Sequence, residues 1–388
     1  MLHLNFIPTA HPAWREGVAT STADMLREII ISQRTFDELP EVVRDRIITT
    51  VQRGEAVAFV LNSNRLELVG TQDEAETREL CARAVAEGVP PAATSKQRKE
   101  TMQTFQALET MHRLKVESRA YLAEQAAPEH QALMLTCDGI KEVHVALMQG
   151  LVKAPGTYRE NDAYPEGFSF YYMAPDGIEN AMFGWTDAIN GILWRMERVE
   201  IEDAFKLAAL ALFHFVDVHP FSDGNGRMCR IIANSMLVQH HFFPVYIQPV
   251  TAAGPQDPLE WRNIYIDAIE ACRNHPTKTP ADLAALLIES SWTSWQRVNS
   301  LVAEYLIDGR ISIGKIVVSS TVAASVATVN AHVRDRYRTL LHSRRPSQPD
   351  AATAEEECAT IIKHVKAVRQ GETAHVLLSD GCVVVIHT

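Results

Sequence analysis

The stretch from residue 202 to 217 constrains the fold more than any other part of the chain. Phe205, Leu207, Ala208, Ala209, Leu212, Phe213, Phe215 and Val216 leave it with almost no polar side. A helix that is apolar nearly all round must be enclosed by other elements, so a chain built around one is organised mainly as packed helices. With 388 residues, 46% of them hydrophobic, the chain has enough apolar surface to enclose it. That length leaves room for roughly two to three domains. Charged residues at 22% and aromatics at 7% fit an ordinary globular protein rather than a disordered or fibrous one.

The same periodicity predicts helices through much of the first 155 residues. Leu26, Ile29 and Ile30, then Val42, Val43, Ile47 and Ile48, recur at helical spacing, with breaks expected near Pro40 and Gly54 and a further one at Pro90-Pro91. Met102, Phe105, Leu108 and Met111 continue the pattern, and 130–150, 181–195 and 202–217 also read as helix. One β signal interrupts them: Phe168, Phe170, Tyr171 and Tyr172, between Pro165-Glu166-Gly167 and Pro175-Asp176-Gly177, read as a hairpin or extended segment. Beyond Ser291 the pattern becomes mixed. A helical stretch from Leu301 to Leu306 precedes a β-branched run from Ile311 to Val318, a linker at 343–350 and a hairpin about Ser379-Asp380-Gly381.

The formal net charge of -11 argues against a general nucleic-acid binder, since phosphates are repelled wherever no local basic site overrides the field. The six cysteines are scattered without close pairs, which suggests neither a disulfide framework nor a zinc knuckle and fits a reducing compartment. No basic-then-apolar leader opens the sequence and no run of about eighteen apolar residues occurs. The expectation is a cytoplasmic protein without a membrane anchor.

The residues that carry chemistry follow the apolar helix directly: His219-Pro220-Phe221-Ser222-Asp223-Gly224-Asn225-Gly226-Arg227-Met228-Cys229-Arg230, leading into Ile231, Ile232, Met236, Leu237 and Val238. A glycine-rich polar loop therefore lies between two helices. Pro220 ends the first helix, and the second starts with backbone N–H groups that attract phosphate. Gly224 and Gly226 let backbone amides approach an anion closely, and Asn225 adds a donor. Arg227 and Arg230 share one helix face and suit successive phosphates. Asp223 is a hard oxygen ligand for magnesium, and His219 titrates near neutrality. A base, a metal ligand, an anion hole and two arginines within twelve residues point to transfer of a phosphate-linked group.

This segment resembles the Fic (Fic/DOC) family signature His-x-Phe-x-Asp/Glu-Gly-Asn-Gly-Arg-x-x-Arg at every defined position. The resemblance implies a mostly α fold: a Fic-type helical core at 41–290 with a β-hairpin flap near 165–178, an N-terminal helical arm at 1–40, and a small mixed C-terminal region at 291–388. It implies a protein adenylyltransferase that moves AMP from ATP to a Ser, Thr or Tyr hydroxyl of a protein substrate. His219 would be the base and Asp223 the Mg2+ ligand. Gly224, Asn225, Gly226, Arg227 and Arg230 would hold the phosphates, Phe221 would anchor the loop, and Tyr265 would line the adenine pocket.

Gly156-x-Tyr158-Arg159 resembles the family's segment before the flap, and Phe170, Tyr171 and Tyr172 lie where the flap pairs with the target peptide. Ser63 to Glu67 resembles the start of the family's autoinhibitory helix, in which the glutamate pairs with the second arginine. Here Leu68 stands where Gly or Asn is usual. A homodimer is a further expectation, since Fic proteins often use one to control that helix.

Three alternatives stay open on the sequence: removal of AMP through Glu67, transfer of another phosphate-containing group, and an adaptor or DNA-binding role for 291–388 with a silent Fic site. The last rests on Arg334, Arg336, Arg338, Arg344 and Arg345, although such runs are usually solvated faces. His214, His240 and His241 beside His219 read as structural rather than zinc-binding.

Overall fold

A computed structural model describes residues 4–88, 94–124, 135–165, 170–195, 200–237, 241–253, 257–307, 310–318, 326–344, 349–369 and 372–388. The chain divides into two compact units, residues 1–33 with 48–295, and residues 34–47 with 296–388. Helices dominate, and among the described residues no helix is long and apolar enough to cross a membrane. The Pro90-Pro91 break, His240 and Val238 lie outside the described residues, as do Phe168 and Arg345.

In chain order the elements up to residue 305 are α1 (Thr22–Asp37), α2 (Glu41–Leu66), α3 (Glu74–Glu87), α4 (Lys96–Glu124), α5 (Cys137–Met148), α6 (Ile178–Arg195), α7 (Ile201–Val218), α8 (Asn225–Leu237), α9 (Pro258–Asn274) and α10 (Ala281–Tyr305). The centre of the first unit is α7, in which Phe205, Ala208, Ala209, Ala211, Leu212, Phe213 and Phe215 are completely buried. Each buried Leu or Phe contributes roughly 1.5–3 kcal/mol relative to exposure. α7 packs along α8, α6 packs against α7, and α4 against α3, α5 and α8.

Residues ahead of α1 dock on the same core. Arg15 and Glu289 form an ion pair with Nε–Oε2 at 3.1 Å whose side chains are both fully buried, and Trp14 Nε1 donates to Glu289 Oε1 at 2.7 Å.

Two sequence expectations are corrected. No break occurs at Gly54, because α2 runs unbroken from Glu41 to Leu66. The space beside Gly54 is open, and the roughly 1 kcal/mol penalty of a mid-helix glycine is small against the burial of Val51, Val57, Phe59 and Val60 on either side. Nor does Ser63–Glu67 open a helix. It closes α2, with Glu67 just beyond the last helical residue.

The flap segment has no regular secondary structure at 170–174 and is followed by a single 3-10 turn at Pro175–Gly177. The Tyr172 N–H donates to Ala163 O at 2.9 Å, so the two arms meet through the backbone. No regular strand is formed there among the described residues.

In the second unit, β1 (Leu306–Ile307), β2 (Arg310–Val317), α11 (Val326–Arg344), α12 (Ala351–Ala367), β3 (Thr373–Leu377) and β4 (Val383–His387) form a small mixed fold. The sheet order is β1-β2-β4-β3, with β2 parallel to β4 and β3 antiparallel to it. Ile316, Val376, Val384 and Ile386 pack against Val333 and Tyr337 of α11 and Ile361 and Ile362 of α12. Arg334, Arg336 and Arg338 of α11 are exposed, and Arg334 pairs with Glu355 at 3.3 Å.

Candidate active site

α7 stops because Pro220 cannot continue it, and the C-cap residue His219 is left-handed, with φ 51° and ψ 60° and its N–H donating to Phe215 O at 3.0 Å. A non-glycine residue in this region costs on the order of 1 kcal/mol and persists only where neighbours enforce it. Arg159 enforces it here. Its Nε donates to His219 O at 2.7 Å, Nη1 to Asn161 O at 2.7 Å, and Nη2 to Val218 O at 3.4 Å and to Met173 O. One guanidinium thus ties the end of α7 to the flap backbone.

The loop closes on itself through Asn225. Its Oδ1 accepts from the Phe221 N–H at 3.0 Å, and its Nδ2 donates to Phe221 O at 2.8 Å. The predicted phosphate donor therefore spends its amide on the loop backbone. Gly224 takes φ 81° with Met148 packed against it, where a Cβ would approach the Met148 sulfur to 3.0 Å. The exposed Asp223 carboxylate accepts the Gly224 N–H at 2.5 Å. Arg227 is buried, touching Met148 Sδ through Nη2 at 3.4 Å, while its Nε and Nη1 have no hydrogen-bond partner among the described residues.

The end of α2 enters this loop. Glu67 Oε1 accepts from Arg230 Nη1 at 2.8 Å, while Arg230 Nε donates to Ser63 Oγ at 3.0 Å and Nη2 to Ser63 O at 2.8 Å. A Cβ placed on Gly226 would lie 2.0 Å from Glu67 Oε1. The carboxylate therefore rests directly on the glycine at the start of α8, where the amide dipole favours an anion.

Burial pushes the Glu67 carboxyl up, but Arg230, with Arg227 and Arg262 nearby, outweighs that and leaves it below its ordinary value. Burial likewise opposes the Arg230 charge, and Glu67 raises it above the usual guanidinium range.

α2 ends in a Schellman turn. Val69 N–H donates to Asn64 O at 3.0 Å and Leu68 N–H to Arg65 O at 3.1 Å, with Leu68 left-handed at φ 57°. Arg262 Nε donates to Leu66 O at 3.0 Å. Leu68, which departs from the family's usual Gly or Asn, occupies the one position of this turn where a side chain is strained.

Tyr172 is stacked on the His219 ring at 3.9 Å and 14°. The Arg273 guanidinium sits 4.2 Å from the Phe170 ring and 5.5 Å from that of Tyr172. Burial pushes the His219 imidazole down to about 4, helped by the charges of Arg159 and Arg273. Tyr171 is exposed and meets Tyr164 edge-on.

Tyr265 is buried beneath Arg230, with its ring 5.5 Å from the guanidinium and its hydroxyl 3.3 Å from Cys229 Sγ. The structure thus brings His219, Asp223, Gly224, Asn225, Gly226, Arg227, Arg230, Ser63, Glu67, Phe170, Tyr172 and Tyr265 around one loop, with Tyr171 outermost.

Sequence reasoning passed over His144. Its ring stacks on Phe221 at 3.7 Å and 6°, accepts the Gly156 N–H at Nδ1 (2.8 Å), and approaches Asp223 O through Nε2 at 3.0 Å. The available signal was a polar residue in the stripe Ile140, Val143, Leu147. Burial pushes His144 down to about 4.

The donor set suits a metal-bound polyphosphate: Arg227 is a buried cation with two unused N–H groups, and Asp223 offers an exposed carboxylate beside it.

Residues 134–237 match the family model described as the Fic/DOC family. A Fido domain-containing protein of Dictyostelium discoideum is 39% identical over 101 residues, which is 26% of this chain and 66% of that protein. The protein adenylyltransferase Fic of Nematostella vectensis is 30% identical over 116 residues, which is 29% of this chain and 25% of that protein. The chain therefore spans just under two thirds of the first relative's length and a quarter of the second's. Among solved structures, Fic-1 of C. elegans superposes with a TM-score of 0.51 at 20% identity, over 73% of each chain, which shows a shared fold. The helices that frame the His219–Arg230 loop thus lie within the segment that matches the Fic/DOC family model.

Proposed function

We propose that this chain is a protein adenylyltransferase that moves AMP from ATP to a protein hydroxyl and is held inactive by Glu67. The observation that carries this reading is the carboxylate of Glu67 seated on Gly226 and Arg230, an anion already lodged where phosphates would bind. Arg230 would then hold the outer phosphates and Arg227 the inner ones. A magnesium ion on Asp223 would neutralise phosphate charge.

His219 takes the proton from the acceptor hydroxyl, the freed oxygen bonds to the α-phosphorus, and the bond to pyrophosphate breaks. Arg159 holds the base in its strained position while this happens. Tyr172 must leave the face of the imidazole to admit the acceptor.

A charge-assisted hydrogen bond contributes roughly 1.5–3 kcal/mol. The value here sits toward the low end, because about a third of the Glu67 side chain is exposed. The lock is thus strong enough to favour the closed site and weak enough to be overcome by a partner. The test is to incubate Glu67→Gly protein with magnesium and α-labelled ATP, with Glu67→Gly/His219→Ala as control, and to identify labelled peptides by mass. AMP on a Ser, Thr or Tyr of an added protein or of the chain itself, lost in the control, is the expected result. Absence of both label and nucleotide binding would overturn the reading.

A further inference from the structure

We propose that His144 is a positioning residue for this transfer, fixing the main chain of Asp223 relative to the base. The inference rests on the adenylyltransferase reading above. His144 is completely buried on the face of α5 that carries Ile140, Val143 and Leu147, a place where an apolar side chain would pack without polar cost.

Both of its ring nitrogens are engaged, and the chemistry fixes their roles. The Gly156 N–H can only donate, so Nδ1 is the acceptor and Nε2 carries the hydrogen. That hydrogen is donated to Asp223 O at 3.0 Å.

The ring has no freedom to turn, because it stacks on Phe221 at 3.7 Å. Gly156 is equally fixed: with φ 79°, its Cα faces Val145 and the Lys141 carbonyl so closely that a Cβ would come within 2.6 Å of Val145 Cγ2. From Gly156 the chain runs three residues to Arg159, whose Nε grips His219 O at 2.7 Å. Asp223 O, His144, Gly156, Arg159 and His219 O thus form one path of short contacts, which sets where the carboxylate stands relative to the imidazole. Asn225 clamps Phe221 on one side of Asp223 and Met148 packs on Gly224 on the other. His144 holds the carbonyl between them.

The experiment uses the Glu67→Gly chain and separates the two nitrogens. In His144→Gln the amide can stand in for Nε2 and donate to Asp223, whereas in His144→Asn it can replace only Nδ1 and accept from Gly156. The readouts are the magnesium concentration for half-maximal label transfer, the affinity for ATP without metal, and the melting temperature. Asn is expected to raise the magnesium requirement by about tenfold, the effect of one part-buried carbonyl left unpaired, with metal-free ATP affinity unchanged. Gln is expected to stay within about twofold of the parent.

A purely structural role predicts that both variants lose melting temperature and leave the magnesium requirement alone, and that result overturns the proposal. If the Glu67→Gly parent binds MgATP and labels nothing, the transfer reading fails, and the proposal fails with it. If either variant does not fold, nitrogen-15 spectra of the unaltered imidazole decide. A single Nε2–H tautomer whose signal moves on adding magnesium and ATP supports the assignment, and averaging between tautomers overturns it.

Discussion

Leu68 offers the sharpest test of the lock, because its strain is visible in one angle. It sits at the left-handed position of the Schellman turn that ends α2, with φ 57°, one residue after Glu67. For a residue with a Cβ this conformation costs roughly 1–2 kcal/mol, and glycine avoids the cost. The leucine side chain is 67% exposed, so its removal gives up little packing. Glycine also loosens the unfolded chain by roughly 0.5–1 kcal/mol, but that effect cancels between two folded states, one with Glu67 seated and one with it withdrawn.

If withdrawal of Glu67 unwinds this turn, Leu68→Gly stabilises the seated state by about 1 kcal/mol, which is about a fivefold shift in the equilibrium. The assay is basal label transfer, with Glu67→Gly defining the open ceiling. Leu68→Gly is expected to run about fivefold below the parent, and to match the ceiling once Glu67 is also Gly. An unchanged basal rate would show that the turn stays wound when the site opens. A reduction that persists without Glu67 would show that Leu68 acts on catalysis by another route. Either result refutes the argument.

Three further outcomes follow from the same geometry. In Gly226→Ala the new Cβ must evict the Glu67 carboxylate it would meet at 2.0 Å. The substitution should cost roughly 1–3 kcal/mol in the parent and almost nothing in Glu67→Gly, a coupling measurable by denaturant unfolding of the four chains. Because burial lowers the His219 pKa to about 4, the imidazole is unprotonated and able to act as a base throughout the neutral range. The transfer rate of Glu67→Gly should stay level from ~pH 8 to ~5 and fall only below that, whereas an inflection near ~6.5 would mean that the base is solvated in the open site. Arg15→Met leaves the buried Glu289 carboxyl without its cation; burial already pushes that carboxyl up to about 8, so it should become neutral in the variant, and thermal unfolding at neutral pH should report a loss of about 1–3 kcal/mol.

How far the sequence anticipated this arrangement depended on the kind of signal involved. The all-round apolar face of 202–217 announced α7, because only an enclosed helix tolerates it. The loop from His219 to Arg230 was readable because its residues are contiguous, so their chemistry could be weighed without knowing the fold. Gly54 misled because a glycine breaks a helix only when nothing else holds the turn, and the flanking core residues do hold it. Glu67 was placed at the wrong end of its helix because Ser63 to Glu67 was read, by resemblance, as the start of a helix, whereas it closes α2. The Schellman turn that reveals the helix end depends on a backbone angle adopted by a leucine, where glycine would have marked it. His144 left only a faint trace, a polar letter in an apolar stripe, since its partners are a carbonyl and an amide that any sequence possesses. Arg159 was legible only as part of a resemblance and Arg273 not at all, since His219 O, which Arg159 grips, and the Phe170 ring, which Arg273 covers, lie 60 and 103 positions away.

The two arginines of the loop differ in a way that bears on how the proposed lock would yield. Glu67 and Ser63 satisfy Arg230, but Arg227 remains buried with two N–H groups unpartnered among the described residues. Burial disfavours its charge and lowers its pKa, opposed by the Glu67 and Asp223 carboxylates. An unpaired buried donor costs roughly 1–3 kcal/mol, and more when charged, so the closed site is a compromise in which one cation is served and its neighbour is not. A polyphosphate lying across both would satisfy Arg227 as well, a gain that a single carboxylate cannot match. Replacing Arg227 by methionine, which keeps bulk and removes the unserved charge, should therefore stabilise the closed chain to heat while abolishing nucleotide binding in Glu67→Gly. A destabilised Arg227→Met would mean that the guanidinium is already satisfied with Glu67 seated, and that the lock carries no built-in deficit for the nucleotide to exploit.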